Sequence, residues 1–581
     1  MNLHTLRPSP RLVASQWAQL ALRMLHARMH VAILVVVLSA CAELPRGPQQ
    51  SAAVASAHPL ATAAGTTILE RGGNAFDAAI AVAAALAVVE PYSSGLGGGG
   101  FFLLHRASDG RQIMVDARET APAGVKDSDY FDRQGRPIPA ATTRGGTSSA
   151  IPGTPAGLTH LANRYGKLPL SVSLAPAIRL AREGFAVDVR YARIARLRES
   201  FLQGGAGTSV FLADGKAPEP GFVLRQGALA ETLERLARYG NAGFYEGPVA
   251  RALVDAVRQA GGAWTADDLR AYKVVEREPV RFMYRGASIT TAALPSAGGI
   301  ALAQTLGMLE RFPSGAVGSP ATDHLVVEAL RRAFHDRARF LADPDFVAVP
   351  VKELLSRDYA RRKAADIDVA HATRSEALGD IDSARTESHH TTHLSVVDSE
   401  GNRVAATLTV NLLFGSGIVP PGTGVLLNNE MDDFSLRADV PNAFELRGGL
   451  ANRIEPRKRP LSSMTPTFVE DDKGVLVLGA PGGSRIVSQV LLAILEYVRG
   501  PEVDVERLVA MPRYHHQFWP DRVEIEPGSY SREWRAAMAG RGHEVREARR
   551  AWGNMQMVFK AKRGGVARAA SDPRGDGVAW Y

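Results

Sequence analysis

The stretch Glu387-Ser388-His389-His390-Thr391-Thr392-His393-Leu394-Ser395-Val396-Val397-Asp398 changes character at its middle. Its first half is polar and irregular. Its second half carries β-branched residues and reads as a strand that ends in a turn at Ser399-Glu400-Gly401-Asn402. A second strand, Arg403 to Val410, follows, so the pair reads as a hairpin. A threonine therefore opens a strand directly after a polar run. If the chain is cut before Thr391, that residue acquires a free α-amine beside its own hydroxyl. Such an amine has a pKa of about 7.7–8.0, near enough to neutrality to take the hydroxyl proton. An N-terminal threonine is then a self-contained activated nucleophile. Two other readings stand beside this one. Thr-Thr on a strand is ordinary β-propensity. His389, His390 and His393 are metal-ligand types, but a zinc site wants three or four ligands of fixed orientation, and the lone cysteine lies far upstream. The nucleophile reading ranks above the metal, and no metal or other cofactor is expected.

At 581 residues the chain is long enough for a substantial core or for two or more domains. The net charge of +8 and pI near 9.5 come from dispersed charges, which argues against a nucleic-acid partner. One cysteine, Cys41, excludes an intramolecular disulfide framework. Arg23 and Arg28 precede the apolar run Val31 to Leu38, then Ser39-Ala40-Cys41: a charged region, a short apolar core and small residues at a cleavage point. The run is far shorter than the ~20 residues that span a bilayer. Leu38-Ser39-Ala40-Cys41 resembles a bacterial lipobox, so residues 1–41 are expected to be a signal peptide with Cys41 lipidated. Residues 42–51 then read as a tether, and the protein is expected in the periplasm, lipid-anchored to a bacterial membrane, the outer membrane being preferred. A plain secretory signal and a short membrane anchor are the alternatives.

Asp77 to Val89 is apolar on all sides, follows the helix-start signal Gly72-Gly73-Asn74 and stops at Pro91. Its length predicts a helix buried between layers. The glycine-rich run Ser93 to Gly100 lacks the ending of a phosphate-binding loop and the spacing of a dinucleotide fingerprint, and reads as close backbone packing. Strands at 101–104 and 112–115 follow. Arg118 sits beside acids, as a surface ion pair or as a fork for a carboxylate. Residues 158–272 read as helical, 287–292 as a strand, 300–309 as a helix, and 322–342 as a longer helix with many charges. The polar segment 371–390 reads as solvated and mobile, the kind of place where a chain is cut without unravelling a core.

Several segments, in order, resemble the motifs of the gamma-glutamyltranspeptidases: Ser93 to Gly100, the Arg118 segment, Thr391 to Asp398, Asn428-Asn429-Glu430-Met431-Asp432-Asp433-Phe434, Arg459-Pro460-Leu461-Ser462-Ser463-Met464, Pro481-Gly482-Gly483-Ser484-Arg485 and Ser571-Asp572-Pro573-Arg574. The resemblance runs from about residue 52 to the end. It implies an α+β fold, the four-layer αββα sandwich of N-terminal nucleophile hydrolases, in which one precursor cuts itself into two subunits that stay together. Here these are a large subunit, 52–390, and a small catalytic subunit, 391–581, with the cut between His390 and Thr391.

The roles that follow are implied by that resemblance. Thr391 attacks the carbonyl of His390 and, once freed, the γ-glutamyl amide of glutathione and related compounds, passing the group to water, amino acids or peptides. Arg118, Ser462 and Ser463 bind the α-carboxylate; Asn411, Glu430 and Asp433 hold the α-ammonium. The N–H groups of Gly482 and Gly483 form the oxyanion hole, and Thr409 orients the Thr391 hydroxyl. A four-residue turn at 399–402 would oppose Thr391 to Val410, so a one-residue bulge, at Gly401, is needed to bring Thr409 or Asn411 onto the Thr391 face. Residues 441–459 match a lid loop with Phe444 at its tip, which favours small substrates over polymers. His515-His516 is assigned a structural role. The alternatives are a glutaryl or cephalosporin acylase of the same fold, against which the acidic pair Glu430 and Asp433 argues, and an uncleaved ligand-binding lipoprotein.

Overall fold

The computed structural model describes residues 51–379, 391–437, 442–443, 445–446 and 448–581. The expected leader with Cys41, the tether as far as Gln50, His389 and His390, and Phe444 lie outside the described residues.

Thirteen strands build two stacked antiparallel sheets. In chain order they are β1 (Ala53–Ser56), β2 (Gly99–Arg106), β3 (Arg111–Ala117), β4 (Val275–Arg277), β5 (Val280–Tyr284), β6 (Ala287–Thr291), β7 (Thr392–Val397), β8 (Arg403–Thr409), β9 (Thr467–Glu470), β10 (Gly474–Gly479), β11 (Gln556–Ala561), β12 (Ala567–Ser571) and β13 (Val578–Trp580). The first sheet runs β13-β1-β7-β8-β2-β3-β4 and the second β12-β11-β10-β9-β6-β5. Alternation along the central strands assigns their two faces. Leu394, Val396, Val404, Ala406 and Leu408 pack into an outer core with helices α1 (Ala75–Val89), α2 (Leu170–Glu183) and α3 (Gly227–Tyr239). Val397 and Ala405 point the other way, into the core shared with the second sheet and with helices α4 (Gly298–Leu309), α5 (Pro320–Phe340) and α6 (Arg485–Arg499). The layers are therefore α, β, β, α.

Helix α1 is buried at every residue, as an all-round apolar sequence requires. Asn74 starts it: its side-chain oxygen accepts from the N–H groups of Phe76 and Asp77, both at 3.0 Å, and the Asp77 carboxylate returns to the Asn74 N–H at 3.0 Å.

The hairpin β7–β8 sets the register of the molecule's centre. Val397 pairs with Arg403, which leaves Asp398 to Asn402 in the turn. The Gly401 N–H donates to the Asp398 carbonyl at 3.2 Å, and the Asp398 N–H to the Asn402 carbonyl at 3.0 Å. Gly401 has φ +93°, so the loop is a tight turn closed by a glycine bulge. Thr392 pairs with Leu408, and one step further Thr391 stands opposite Thr409, on the inner face.

Helix α5, expected as a long charged helix, turns most of its charges inward: Asp323, Glu328, Arg331, Arg332, Asp336 and Arg337 are all buried. Of the segment expected to be solvated, residues 371–379 are held at Ser375, which is fully buried, with its N–H on the Asp521 carboxylate at 2.8 Å and its hydroxyl on the Phe518 carbonyl at 2.6 Å.

Candidate active site

Thr391 lies at the base of a pocket of about 300 Å³ counting its mouth, between the two sheets. Its hydroxyl is 3.4 Å from that of Thr409. The Thr409 hydroxyl accepts the Asn411 N–H at 2.8 Å, so the loop leaving β8 fixes the group that faces the nucleophile. Asn411 has φ +74°, and its side-chain NH₂ donates to the Asn429 carbonyl at 2.9 Å. That bond turns its Oδ1 away, buried and without a partner among the described residues.

Glu430 and Asp433 form one wall, on a short turn following Asn428 and Asn429. Asn428 is a hub: its NH₂ donates to the carbonyls of Gly97 and Ala150 at 2.7 Å each, and its Oδ1 accepts the Glu430 N–H at 2.9 Å. Behind this wall the Arg118 guanidinium pairs with both Glu430 and Asp433, and its Nε donates to the Pro460 carbonyl at 3.1 Å. Arg118 is fully buried. Burial opposes its charge, but the carboxylates of Glu430, Asp433 and Glu119 outweigh that and hold it protonated. Glu430 pays the opposite way: burial raises its pKa well above the usual carboxylate range despite Arg118, and Glu119 and Asp433 push it further up. Burial likewise lifts Glu119 to about 7. Glu430 Oε2 has no partner among the described residues. Two residues that line the pocket thus each carry a buried oxygen without a partner among the described residues, Asn411 Oδ1 and Glu430 Oε2.

Ser462 and Ser463 close the opposite side. The Ser462 backbone is clamped to the loop before α4, its N–H on the Pro295 carbonyl and its carbonyl accepting the Ala297 N–H, both at 2.8 Å. Arg337, from α5, reaches the Ser463 hydroxyl at 3.5 Å through Nη2. Gly483 lines the pocket beside Thr391, and Gly482 precedes it, just ahead of α6. Their φ angles, +132° and +56°, are ones that side-chain-bearing residues rarely adopt. Among the described residues neither glycine N–H is taken by a backbone carbonyl. Free N–H groups at a helix N-terminus, with its partial positive charge, suit a developing oxyanion.

Thr391, Thr409, Asn411, Glu430, Asp433, Ser462, Ser463 and Gly483 are thereby brought together as the motifs suggest. Arg118 meets this group from behind the acids. Cys41 and His390 lie outside the described residues. Sequence reasoning passed over Glu119 and Arg337. Glu119 adjoins Arg118 in the chain, but nothing local marks Arg337 out among the charges of α5. His393, two residues from Thr391, is buried between Thr407 (2.9 Å) and Ser395 (3.2 Å), and burial pushes its pKa down to about 3, so the ring is neutral.

A family model described as gamma-glutamyltranspeptidase matches residues 61–581. The chain is 40% identical over 526 residues to the glutathione hydrolase proenzyme of Escherichia coli (strain K12), covering 90% of each. It is 40% identical over 522 residues to the protein of the same name from Pseudomonas aeruginosa, covering 88% of this chain and 91% of that one. The fold also matches that of a cephalosporin acylase from Bacillus halodurans, with a TM-score of 0.79 at 27% identity over 93% of this chain and 98% of that one. The fold is the N-terminal nucleophile hydrolase sandwich, and the chain belongs to the gamma-glutamyltranspeptidase family.

Proposed function

We propose that this protein is a self-processing gamma-glutamyltransferase and glutathione hydrolase. The precursor is cut between His390 and Thr391. The Thr391 hydroxyl attacks the preceding carbonyl, the resulting ester is resolved by water, and the α-amine is freed. In turnover the same hydroxyl attacks the γ-glutamyl amide carbon while the α-amine takes its proton. The C–N bond breaks, the amine leaves with that proton, and a γ-glutamyl ester remains on Thr391. Water, or the amine of an amino acid or peptide, then attacks the ester. Gly482 and Gly483 donate to the oxyanion of each tetrahedral intermediate, where one such donor contributes about 2.7–4 kcal/mol.

The observation that carries this reading is the pair of unpartnered buried oxygens, Asn411 Oδ1 and Glu430 Oε2, on residues that line the pocket with Thr391. Buried acceptors without donors are costly, and a ligand ammonium relieves them. A glutaryl group has no ammonium, so the acylase reading leaves these atoms bare. The leader sequence supports export and attachment through a lipid on Cys41 to a bacterial membrane.

Mass spectrometry of the purified protein, with rates on γ-glutamyl and glutaryl anilides, tests the proposal. Two polypeptides are expected, the smaller beginning at Thr391 and the larger acylated at Cys41, together with turnover of the γ-glutamyl anilide alone. Thr391→Ala should remain one inactive chain. An intact but active wild-type chain would defeat the mechanism, and an unacylated cysteine the anchor.

A further inference from the structure

Helix α6 starts two residues after Gly483, and its buried face is mostly apolar, with Ile486, Val487, Val490, Leu491 and Ile494. Gln489 sits among them at 2% exposed, where an amide is costly unless it is hydrogen-bonded. Its Nε2 donates to two carbonyls, that of Pro481 at 2.8 Å, outside the helix, and that of Arg485 at 3.2 Å, one turn back. Two acceptors on one side fix which end of the amide is the nitrogen. The Oε1 has no partner among the described residues and faces Gly553, where a Cβ would fall 2.0 Å from it. The amide is caged between these backbones and has no room to swing.

The Pro481 carbonyl belongs to the same peptide unit as the Gly482 N–H. That peptide bond is trans, so its C=O and N–H point in opposite directions. A carbonyl drawn toward Gln489 therefore turns the Gly482 N–H away from Gln489. Glycine accepts φ of either sign, so nothing in Gly482 itself stops the unit from rotating half a turn and offering a carbonyl where the N–H is needed. We infer that Gln489 is a positioning residue: by holding the Pro481 carbonyl it keeps the Gly482 N–H presented to the oxyanion. The inference rests on the role proposed for Gly482 above and adds the group that locks it.

The test uses Gln489→Met, which keeps the side chain's length and removes its N–H groups, with Gln489→Leu beside it. Two inhibitors are compared on the mature protein. Free glutamate binds without a tetrahedral centre. Its analogue with a boronic acid in place of the γ-carboxyl bonds the Thr391 oxygen through boron, gives the hydroxyl proton to the α-amine and becomes a tetrahedral anion. In both variants kcat for γ-glutamyl anilide should fall about 10- to 100-fold, somewhat less than for outright loss of an oxyanion donor, and the boronic acid should weaken in step. KM and the glutamate inhibition constant should stay within about threefold, because the lost interaction is made only with the tetrahedral state. A merely structural role would weaken glutamate and the boronic acid together and leave their ratio intact, which would overturn the inference, as would an undiminished kcat. If neither variant cuts itself into two subunits, Gln489 serves folding or processing and the inference also fails. A wild-type protein inert toward γ-glutamyl anilide would instead remove the proposed function itself.

Discussion

Three acids, Glu119, Glu430 and Asp433, crowd one guanidinium, Arg118. One cation cannot neutralise three carboxylates, and burial penalises any that stay charged, so protons are retained here to higher pH than on ordinary carboxyls. Glu430 is raised by burial and then by the charges of Glu119 and Asp433; Glu119 itself is lifted to about 7. Binding of an ammonium favours the ionised acid. The affinity for free glutamate, read as a competitive inhibition constant, should therefore strengthen as pH rises beyond the ordinary carboxylate range. The direction of a variant's effect follows. Glu119→Gln removes a like charge from beside Glu430, so Glu430 gives up its proton earlier and tight binding persists to lower pH, by about one unit. Measuring that constant from pH 5 to 8 checks it; an unmoved profile, or one displaced to higher pH, would show that Glu119 does not act on the ammonium site.

At the scale of elements, the nucleophile is placed by a hairpin and by what lies beneath it. Strand β8 packs on the glycine run that leads into β2, so closely that a Cβ on Gly98 would fall 2.0 Å from the Thr409 carbonyl oxygen. Gly98→Ala should push the end of β8 outward, cost about 1–3 kcal/mol as overpacking does, and lower the fraction of chains that cut themselves, because Thr409 moves from its place opposite Thr391. Gly110→Ala, in the β2–β3 turn, is the control: φ is +69° but the space is open, so stability falls by about 1 kcal/mol and cleavage should be complete. Thermal unfolding and gel analysis read both. If the two variants cut themselves equally well, the close packing is not what aligns the hairpin. These elements were legible because their signals are local. β-branched residues announce β7, Asn74 announces α1, and the glycine run announces contact. That the motif residues share one pocket was legible through their order, and even the bulge at Gly401 followed from counting residues. Helix α5 was not legible in this way. Arg331 is buried because Asp521, distant in sequence, comes to meet it, and Arg337 because a pocket forms in front of it. Asp521 and the pocket are both remote from α5 in sequence, so its string of charges does not tell which side chains turn inward until the other layer is in place.

At the scale of the molecule, cleavage before Thr391 leaves subunits that are interleaved rather than merely touching. β1 belongs to the large subunit and lies between β13 and β7 of the small one; β8 pairs with β2, and β9 with β6, across the same divide. Backbone ladders on this scale come apart only when the sheets do. A separate device ties down the large subunit's end: Ser375 is held by Asp521 and Phe518, Ala372 donates to the Arg541 carbonyl at 2.7 Å, and Arg331 pairs with Asp521. These two kinds of attachment predict different losses. In Asp521→Ala, Arg331 keeps Glu328 but loses its second carboxylate, and Ser375 loses an acceptor, a cost of about 2–3 kcal/mol for hydrogen bonds to a charged group. Asp521 is held well below the ordinary range, with burial opposing and His516 and Arg331 prevailing. Its share of stability is therefore present above pH ~4, the ordinary value for an aspartate, and lost as pH falls further toward the folded-state pKa. At neutral pH the variant should let trypsin cut at exposed Arg374 much faster than in the wild type, while the two subunits still elute together and turn over substrate. Dissociation of the variant on size exclusion would mean that the pinned tail, and not the shared ladders, holds the processed enzyme together.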